Sequence, residues 1–152
     1  MRIIFKFFLL FVLFFVWSNN LSAEWVKVDH VIDGDTIITD SGEKVRFLGV
    51  NTPEIKSNYN DFADYLGEEA KEFVVARILN RRVRLENDGR AYDKYGRRLA
   101  YIFTEDGVSL EKELIQIGLA EAIHRFNYNK KDEFIALEQE ARKKNIGIWE
   151  CE

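Results

Sequence analysis

Three short stretches place carboxylates and guanidinium groups where predicted strands end. In Val31-Ile32-Asp33-Gly34-Asp35-Thr36, two carboxylates flank a glycine as one strand gives way to the next. Glycine permits a tight bend there, and the bend lets Asp33 and Asp35 point in different directions. In Arg46-Phe47-Leu48-Gly49-Val50-Asn51-Thr52-Pro53-Glu54, Arg46 alternates with strand residues and can face a cleft. Pro53 fixes its own φ and biases Thr52 to an extended backbone, so Glu54 sits in a rigid, exposed place. A carboxylate held that way suits a general base better than a core position. In Asp93-Lys94-Tyr95-Gly96-Arg97 a charged loop feeds a further strand. Each stretch alone reads as readily as a solvated turn. Their order, within Val31 to Arg97 and each at a strand end, makes a single site of them. As charged groups at strand ends, Arg46, Glu54 and Arg97 are all expected to be dispensable for folding.

The elements that must hold these residues follow from patterning. Trp25 to Ile32 is valine-rich and partly alternating, Thr36-Ile37-Ile38-Thr39 is β-branched, and Lys44 to Val50 follows the turn Asp40-Ser41-Gly42. These read as a three-stranded meander. Arg82 to Glu86 and Arg98 to Phe103 read as a fourth and fifth strand. Helical spacing appears in Leu66, Ala70, Phe73 and Val74. It recurs in Leu110, Leu114 and Ile117, with Ser109 as N-cap and Gly118 as stop. Phe134, Leu137 and Ala141 mark a third helix, ending near Gly147. Three strands, a helix, two strands and two helices make an α+β, mainly β, chain: the five-stranded OB-fold barrel with three helices. That fold does not fix a function.

Composition bounds the rest. The 152 residues suit one domain, and 47% apolar with 32% charged residues excludes a disordered chain. Residues 1–23 read as a secretory signal peptide: Arg2 and Lys6, an apolar run Phe7 to Trp17, then a small polar stretch ending at Ala23. The run is short of the ~20 residues of a spanning helix. Residues 24–152 are then the folded domain, secreted or periplasmic, or anchored at the inner membrane if residues 1–23 stay uncleaved. Their removal takes two of the 22 basic residues and none of the 26 acids, leaving 20 against 26, or −6. That is the wrong sign for holding nucleic acid by bulk charge. A basic band remains between Arg77 and Arg98, with Arg81, Arg82, Arg84, Arg90, Lys94 and Arg97. Polyanion binding is expected to depend on it and to weaken with salt. Cys151 has no partner for a disulfide, so the core must hold the domain. With only His30 and His124, a zinc site or a histidine-metal nuclease lacks the clustered histidines or cysteines it would want. His30 reads as a strand residue and His124 as a cleft-side one.

Three motifs in register, continued by Gly118-Leu119-Ala120 and Ile148-Trp149, resemble the staphylococcal nuclease family over nearly the whole of residues 24–152. The resemblance implies a calcium-assisted endonuclease that cuts DNA and RNA with little sequence preference and leaves 3′-phosphate ends. It implies Asp35, Asn51 and the Thr52 carbonyl as calcium ligands, Glu54 as the base acting on the attacking water, and Arg46 and Arg97 as the phosphate clamp. Lys94 and Tyr95 match positions lining the terminal-phosphate pocket. The chain departs from the family twice. Asn51 replaces the usual aspartate, and His124 and Phe126 stand where tyrosines flank the nucleotide. The expected partners are DNA and RNA substrates alone, with the protein a monomer. The rival reading is a non-catalytic OB-fold module binding nucleic acid or protein, possibly membrane-anchored. It is opposed by the presence of Arg46, Glu54 and Arg97 together.

Overall fold

The computed structural model describes residues 24–55 and 62–150. The expectations for residues 1–23 and for Cys151 lie outside them. Strand β1 (Glu24–Asp33) buries Val28 and Val31 and pairs antiparallel with β2 (Thr36–Thr39). Its register slips between Val28 and His30 and again between Val31 and Asp33. Such bulges bend a strand and raise its twist, which curls a short sheet toward closure. β3 (Lys44–Phe47) continues the meander antiparallel to β2. β5 (Arg82–Glu86) and β6 (Arg98–Phe103) pair antiparallel; β6 then runs parallel to β3, and β5 pairs with β1. The result is a closed barrel in the order β1-β2-β3-β6-β5.

The third strand is shorter than its sequence suggests. The chain turns at Leu48-Gly49, where Gly49 takes φ +85°. Val50–Asn51 becomes a separate β4, paired antiparallel with β7 (Glu121–Ala122). Two-residue strands carry no periodicity, so β7 leaves no pattern in the sequence. The three helices stand where spacing puts them. In α1 (Phe62–Ile78), Leu66, Ala70, Val74 and Ile78 form one buried stripe, and the helix packs on β1. In α2 (Leu110–Gln116), Ser109 is the N-cap and accepts from the Lys112 N–H. α3 (Lys131–Lys143) buries Phe134, Glu138 and Ala141. It ends four residues before Gly147, which instead opens a short 3₁₀ turn to Trp149.

One buried acid ties α2 to the barrel. Glu111 is fully buried; its Oε1 accepts from the Ile102 N–H at 2.7 Å and its Oε2 from the Ser109 hydroxyl at 2.8 Å. Burial pushes its carboxyl up to about 7, against the lowering effect of these donors. A raised folded-state pKa means stability that is complete below the unfolded value and lost as pH rises through about 7. A glutamine in its place would keep an acceptor for the Ile102 N–H without titrating. Glu111→Gln should therefore remove up to about 3 kcal/mol of stability loss between pH 5 and pH 8. Melting temperatures across that range check it; equal pH slopes for both proteins would refute it.

Candidate active site

The turn between β1 and β2 sets the first carboxylate. Asp33 Oδ1 accepts the Asp35 N–H at 3.0 Å, an Asx-type closure that makes Asp33 a turn former. Gly34 is required by proximity. A Cβ there would stand 2.7 Å from Ala70 Cβ on α1 and 2.8 Å from the Thr52 hydroxyl. The turn, α1 and the strand end after β4 thus meet with no spare room. Gly34→Ala should cost about 1–3 kcal/mol by overpacking, lowering the melting temperature by several degrees. An unchanged melt would show that Thr52 and α1 can give way.

Asp35 is 5% exposed, and each of its oxygens is engaged. Oδ1 accepts from the Thr36 hydroxyl at 3.0 Å. Oδ2 accepts from the Thr52 N–H at 3.0 Å and its hydroxyl at 3.2 Å, and pairs with Arg46 NH1 at 2.9 Å. Burial pushes the carboxyl up to about 6, Arg46 pulls it down, and the Asp33 charge pushes it up again. Arg46, on β3, is itself largely buried, which lowers its pKa against the support of Asp35. Its guanidinium also donates to the Val50 carbonyl at 3.0 Å and to Asn51 Oδ1 at 3.1 Å.

Arg46 is the hub of the arrangement. The charges of Asp35, Arg97, Asp33 and Glu54 all bear on it. Residues separated by more than sixty positions in sequence are therefore neighbours in one electrostatic site. Glu54 is exposed, just beyond Pro53. α1 backs it closely: a Cβ on Gly67 would lie 2.9 Å from the Pro53 carbonyl and 3.2 Å from that of Glu54. Only glycine lets the helix approach so near. Arg97 is held by Asp93, whose Oδ2 takes its Nε–H at 2.8 Å and whose Oδ1 takes the N–H groups of Tyr95 and Arg97. Partial burial would raise the Asp93 carboxyl, but these bonds and the guanidinium outweigh it and hold it below its ordinary value.

A cleft of about 890 Å³ opens beside Arg46 and Arg97. Its walls are β3 with the Leu48-Gly49 turn, the β5–β6 loop, and the segment after β7. Lys94, Tyr95 and Phe126 line it, with Tyr95 and Phe126 largely exposed. Lys94 and Arg97 each lie over the Tyr95 ring, and Arg125 over that of Phe126. Buried phosphate-sized anions favour such guanidinium donors, and exposed rings flanked by cations suit bases on a charged backbone.

A profile of the family described as Staphylococcal nuclease homologue matches residues 44–151, and this range contains Arg46, Asn51, Thr52, Glu54 and Arg97. The chain belongs to the staphylococcal nuclease family. It is 43% identical to the thermonuclease of Staphylococcus intermedius over 88% of this chain and 80% of that protein. It is 34% identical to an uncharacterized protein of Methanocaldococcus jannaschii, over 88% and 79%. It is 39% identical to endonuclease YncB of Bacillus subtilis, over 87% of this chain and 64% of that one. The protein is thus a nuclease, a hydrolase whose substrates are nucleic acids, on the OB-fold barrel its strand order implied.

Not every expected residue of this nuclease falls at the cleft. His124 is absent from the cleft lining; its Nε2 donates to Glu138 Oε2 on α3 at 2.7 Å. Glu138 is 3% exposed and also takes the guanidinium of Arg142. A buried carboxylate that also takes Arg142 holds the imidazole, so the His124 side chain is tied to α3. The basic band is also divided. Arg77 is bidentate on Glu113, Arg84 pairs with Glu86, and Arg98 is buried against Glu24 and Glu43. Arg77, Arg81 and Arg82 border a separate 220 Å³ pocket. Only Arg90, Lys94 and Arg97 of the band line the cleft, joined there by Arg46 and Arg125. The salt-dependent attraction expected of the whole band narrows to these.

The residues implied as calcium ligands lie together, with Asp35 and Asn51 both bound by Arg46 and the Thr52 N–H on Asp35. Asp35, the Asn51 amide carbonyl and the Thr52 main-chain carbonyl offer oxygen only, which fits a hard cation and not a tetrahedral zinc. Asp35 Oδ1, engaged by one hydroxyl, is its freer oxygen. Among the described residues no group of three His, Cys, Asp or Glu side chains is placed to hold a metal ion, so an ion here would rest mainly on amide and main-chain oxygens. Glu121 is the residue the sequence did not flag. It lies directly across the β4–β7 ladder from Asn51, and its Oε1 accepts from Asn51 Nδ2 at 3.1 Å. With Arg46 donating to Oδ1, both ends of the Asn51 amide are chemically fixed: its oxygen toward Arg46, its nitrogen toward Glu121. A set of oxygen donors with one carboxylate instead of two suits a hard cation such as calcium.

Proposed function

We propose that this nuclease is a calcium-assisted endonuclease of DNA and RNA, with little sequence preference, that breaks the bond to the 5′-oxygen and leaves 3′-phosphate ends. The observation that carries the reading is the convergence of Asp35, Glu54 and Arg97 on the buried Arg46. Arg46 and Arg97 hold two non-bridging phosphate oxygens, where charge grows as the phosphorus becomes five-coordinate. Their planar forks match that geometry as a lysine would not. Glu54, rigid behind Pro53 and backed by α1, takes the proton of the attacking water. Asp35, Asn51 and the Thr52 carbonyl would hold calcium, which would supply Lewis-acid neutralisation of phosphate charge. Lys94 and Tyr95 receive the neighbouring phosphate, and Phe126 offers its ring to a base. Residues 1–23 direct export to the periplasm or beyond, where the protein acts as a monomer and calcium is supplied from outside.

Purified protein incubated with plasmid DNA and with RNA, with calcium or with chelator, tests the proposal. Cleavage of both with calcium, lost with chelator, and fragments whose 3′ ends accept extension only after phosphatase treatment are expected. Cleavage indifferent to chelator would overturn the calcium reading, and 3′-hydroxyl ends the stated bond. Tight oligonucleotide binding with no cleavage would instead support the non-catalytic module.

A further inference from the structure

The cleft holds more cationic groups than one phosphodiester uses. Arg46 and Arg97 serve the scissile phosphate, and Lys94 with Tyr95 the neighbouring one. Arg90 and Arg125 line the same cavity, both exposed, and neither carries an ion pair among the described residues. Neither acid of the cleft, Asp88 or Asp93, forms an ion pair with them among the described residues. Asp93 is committed to Arg97. Asp88 accepts from the Tyr101 hydroxyl at 2.7 Å and from the Asn129 N–H at 2.6 Å. That second bond has a structural effect as well, since it locks the β5–β6 loop to the segment after β7. The Tyr128 hydroxyl, donating to the Gly49 carbonyl at 3.1 Å, ties this segment to the β3–β4 turn. Arg90 and Arg125 are therefore carried on two walls pinned to each other and to the catalytic strand. Unpaired guanidinium groups lining one concave, braced surface draw anions into it. At about 890 Å³ the cleft is near the top of the range for small-ligand pockets, leaving space beyond one nucleotide.

We infer that Arg90 and Arg125 form a further phosphate site, beyond that of Lys94 and Tyr95, which seats another phosphate of the same strand and makes the enzyme favour chains over single phosphodiesters. The inference rests on the reading of Arg46 and Arg97 as the scissile-phosphate clamp. Guanidinium contacts of this kind are worth about tenfold in affinity each. Each should also carry a counterion-release slope of about 0.7 per single-strand phosphate.

The test measures binding to Glu54→Gln protein, with calcium present, of a dinucleotide with one phosphodiester and of a single-stranded oligodeoxynucleotide of about eight nucleotides. The ratio of the two affinities is the length advantage. Arg90→Gln and Arg125→Gln should each cut that ratio about tenfold and flatten the octamer's salt dependence. Arg81→Gln, in the separate arginine cluster, should leave the ratio as it is. An unchanged ratio in the two cleft variants overturns the inference, as does a parallel fall on both ligands. Failure of the parent to bind either ligand overturns the clamp reading itself, and that result is distinguishable because the ratio then has no value to compare.

Discussion

Glu54→Gln and Arg97→Ala should each lower turnover by about 10²–10³ while barely moving the melting temperature. Arg46→Ala should abolish activity and destabilise the protein together. The sequence treats the three alike, as charges at strand ends. The structure separates them by burial. Glu54 is exposed, and Arg97 shares a partly exposed pair with Asp93 worth at most about 1 kcal/mol. Arg46 is 13% exposed and is the counter-charge of a carboxylate nearly as buried. Removing one partner of such a pair typically costs about 3–5 kcal/mol, because the other charge is stranded. Asp35 has one escape. Its carboxyl already sits up at about 6, and without Arg46 it protonates more readily still. Arg46→Ala should therefore lose less stability at pH 5, where Asp35 is neutral, than at pH 8. Arg46→Lys keeps the charge but not the fork, so it should fold better than the alanine variant and remain slow. Melting curves at both pH values beside single-turnover rates check the whole set. Near-wild-type turnover in folded Glu54→Gln or Arg97→Ala would remove that residue from the mechanism, and a pH-independent loss for Arg46→Ala would show that Asp35 is relieved some other way.

The barrel was legible because its strands are local, β-branched and bounded by turn residues, as in Thr36–Thr39 after Asp33-Gly34-Asp35. The helices were legible through stripes such as Leu66, Ala70 and Val74. The candidate site could be picked out in the sequence because Asp35, Glu54 and Arg97 each sit beside a glycine or proline near a strand end. What escaped the sequence is pairing across distance. Nothing near Glu121 signals that a two-residue strand will set it opposite Asn51. Nothing near His124 announces that Glu138, on α3, will be buried and take its imidazole. The band from Arg77 to Arg98 reads as one patch in sequence, but strand alternation and the end of α1 deal its arginines to different sides of the barrel. Gly34 was legible as a bend, yet the reason only glycine fits is Ala70 and Thr52 pressed against it.

The largest effect of a single atom exchange is expected at Asn51. Asn51→Asp should tighten calcium binding and at the same time weaken the metal-free protein. The first half follows from ligand charge, which tunes calcium affinity in oxygen sites. The second half follows from Glu121. In the native protein the Asn51 amide nitrogen donates to Glu121 and its oxygen accepts from Arg46. An aspartate keeps the second bond and loses the first, leaving two carboxylates directly opposite across the β4–β7 ladder. Like charges facing across an antiparallel pair are destabilising, and the missing donor adds to the loss. The pair is solvent-facing, so a metal-free cost of about 1 kcal/mol is expected after screening. A divalent cation relieves the repulsion it is attracted by, so the calcium-induced rise in melting temperature should grow. At a calcium concentration a hundred times the dissociation constant, linkage alone gives about 2.7 kcal/mol. Adding Glu121→Gln should separate the two effects: a glutamine amide can donate to the introduced aspartate, so the double variant should recover metal-free stability while keeping the new carboxylate. Isothermal titration with calcium, and melts with and without it, across the four proteins of the cycle give both quantities. If Asn51→Asp leaves calcium affinity unchanged, Asn51 does not touch the ion. If metal-free stability does not fall, or Glu121→Gln fails to restore it, the cross-strand contact between positions 51 and 121 does not control the site.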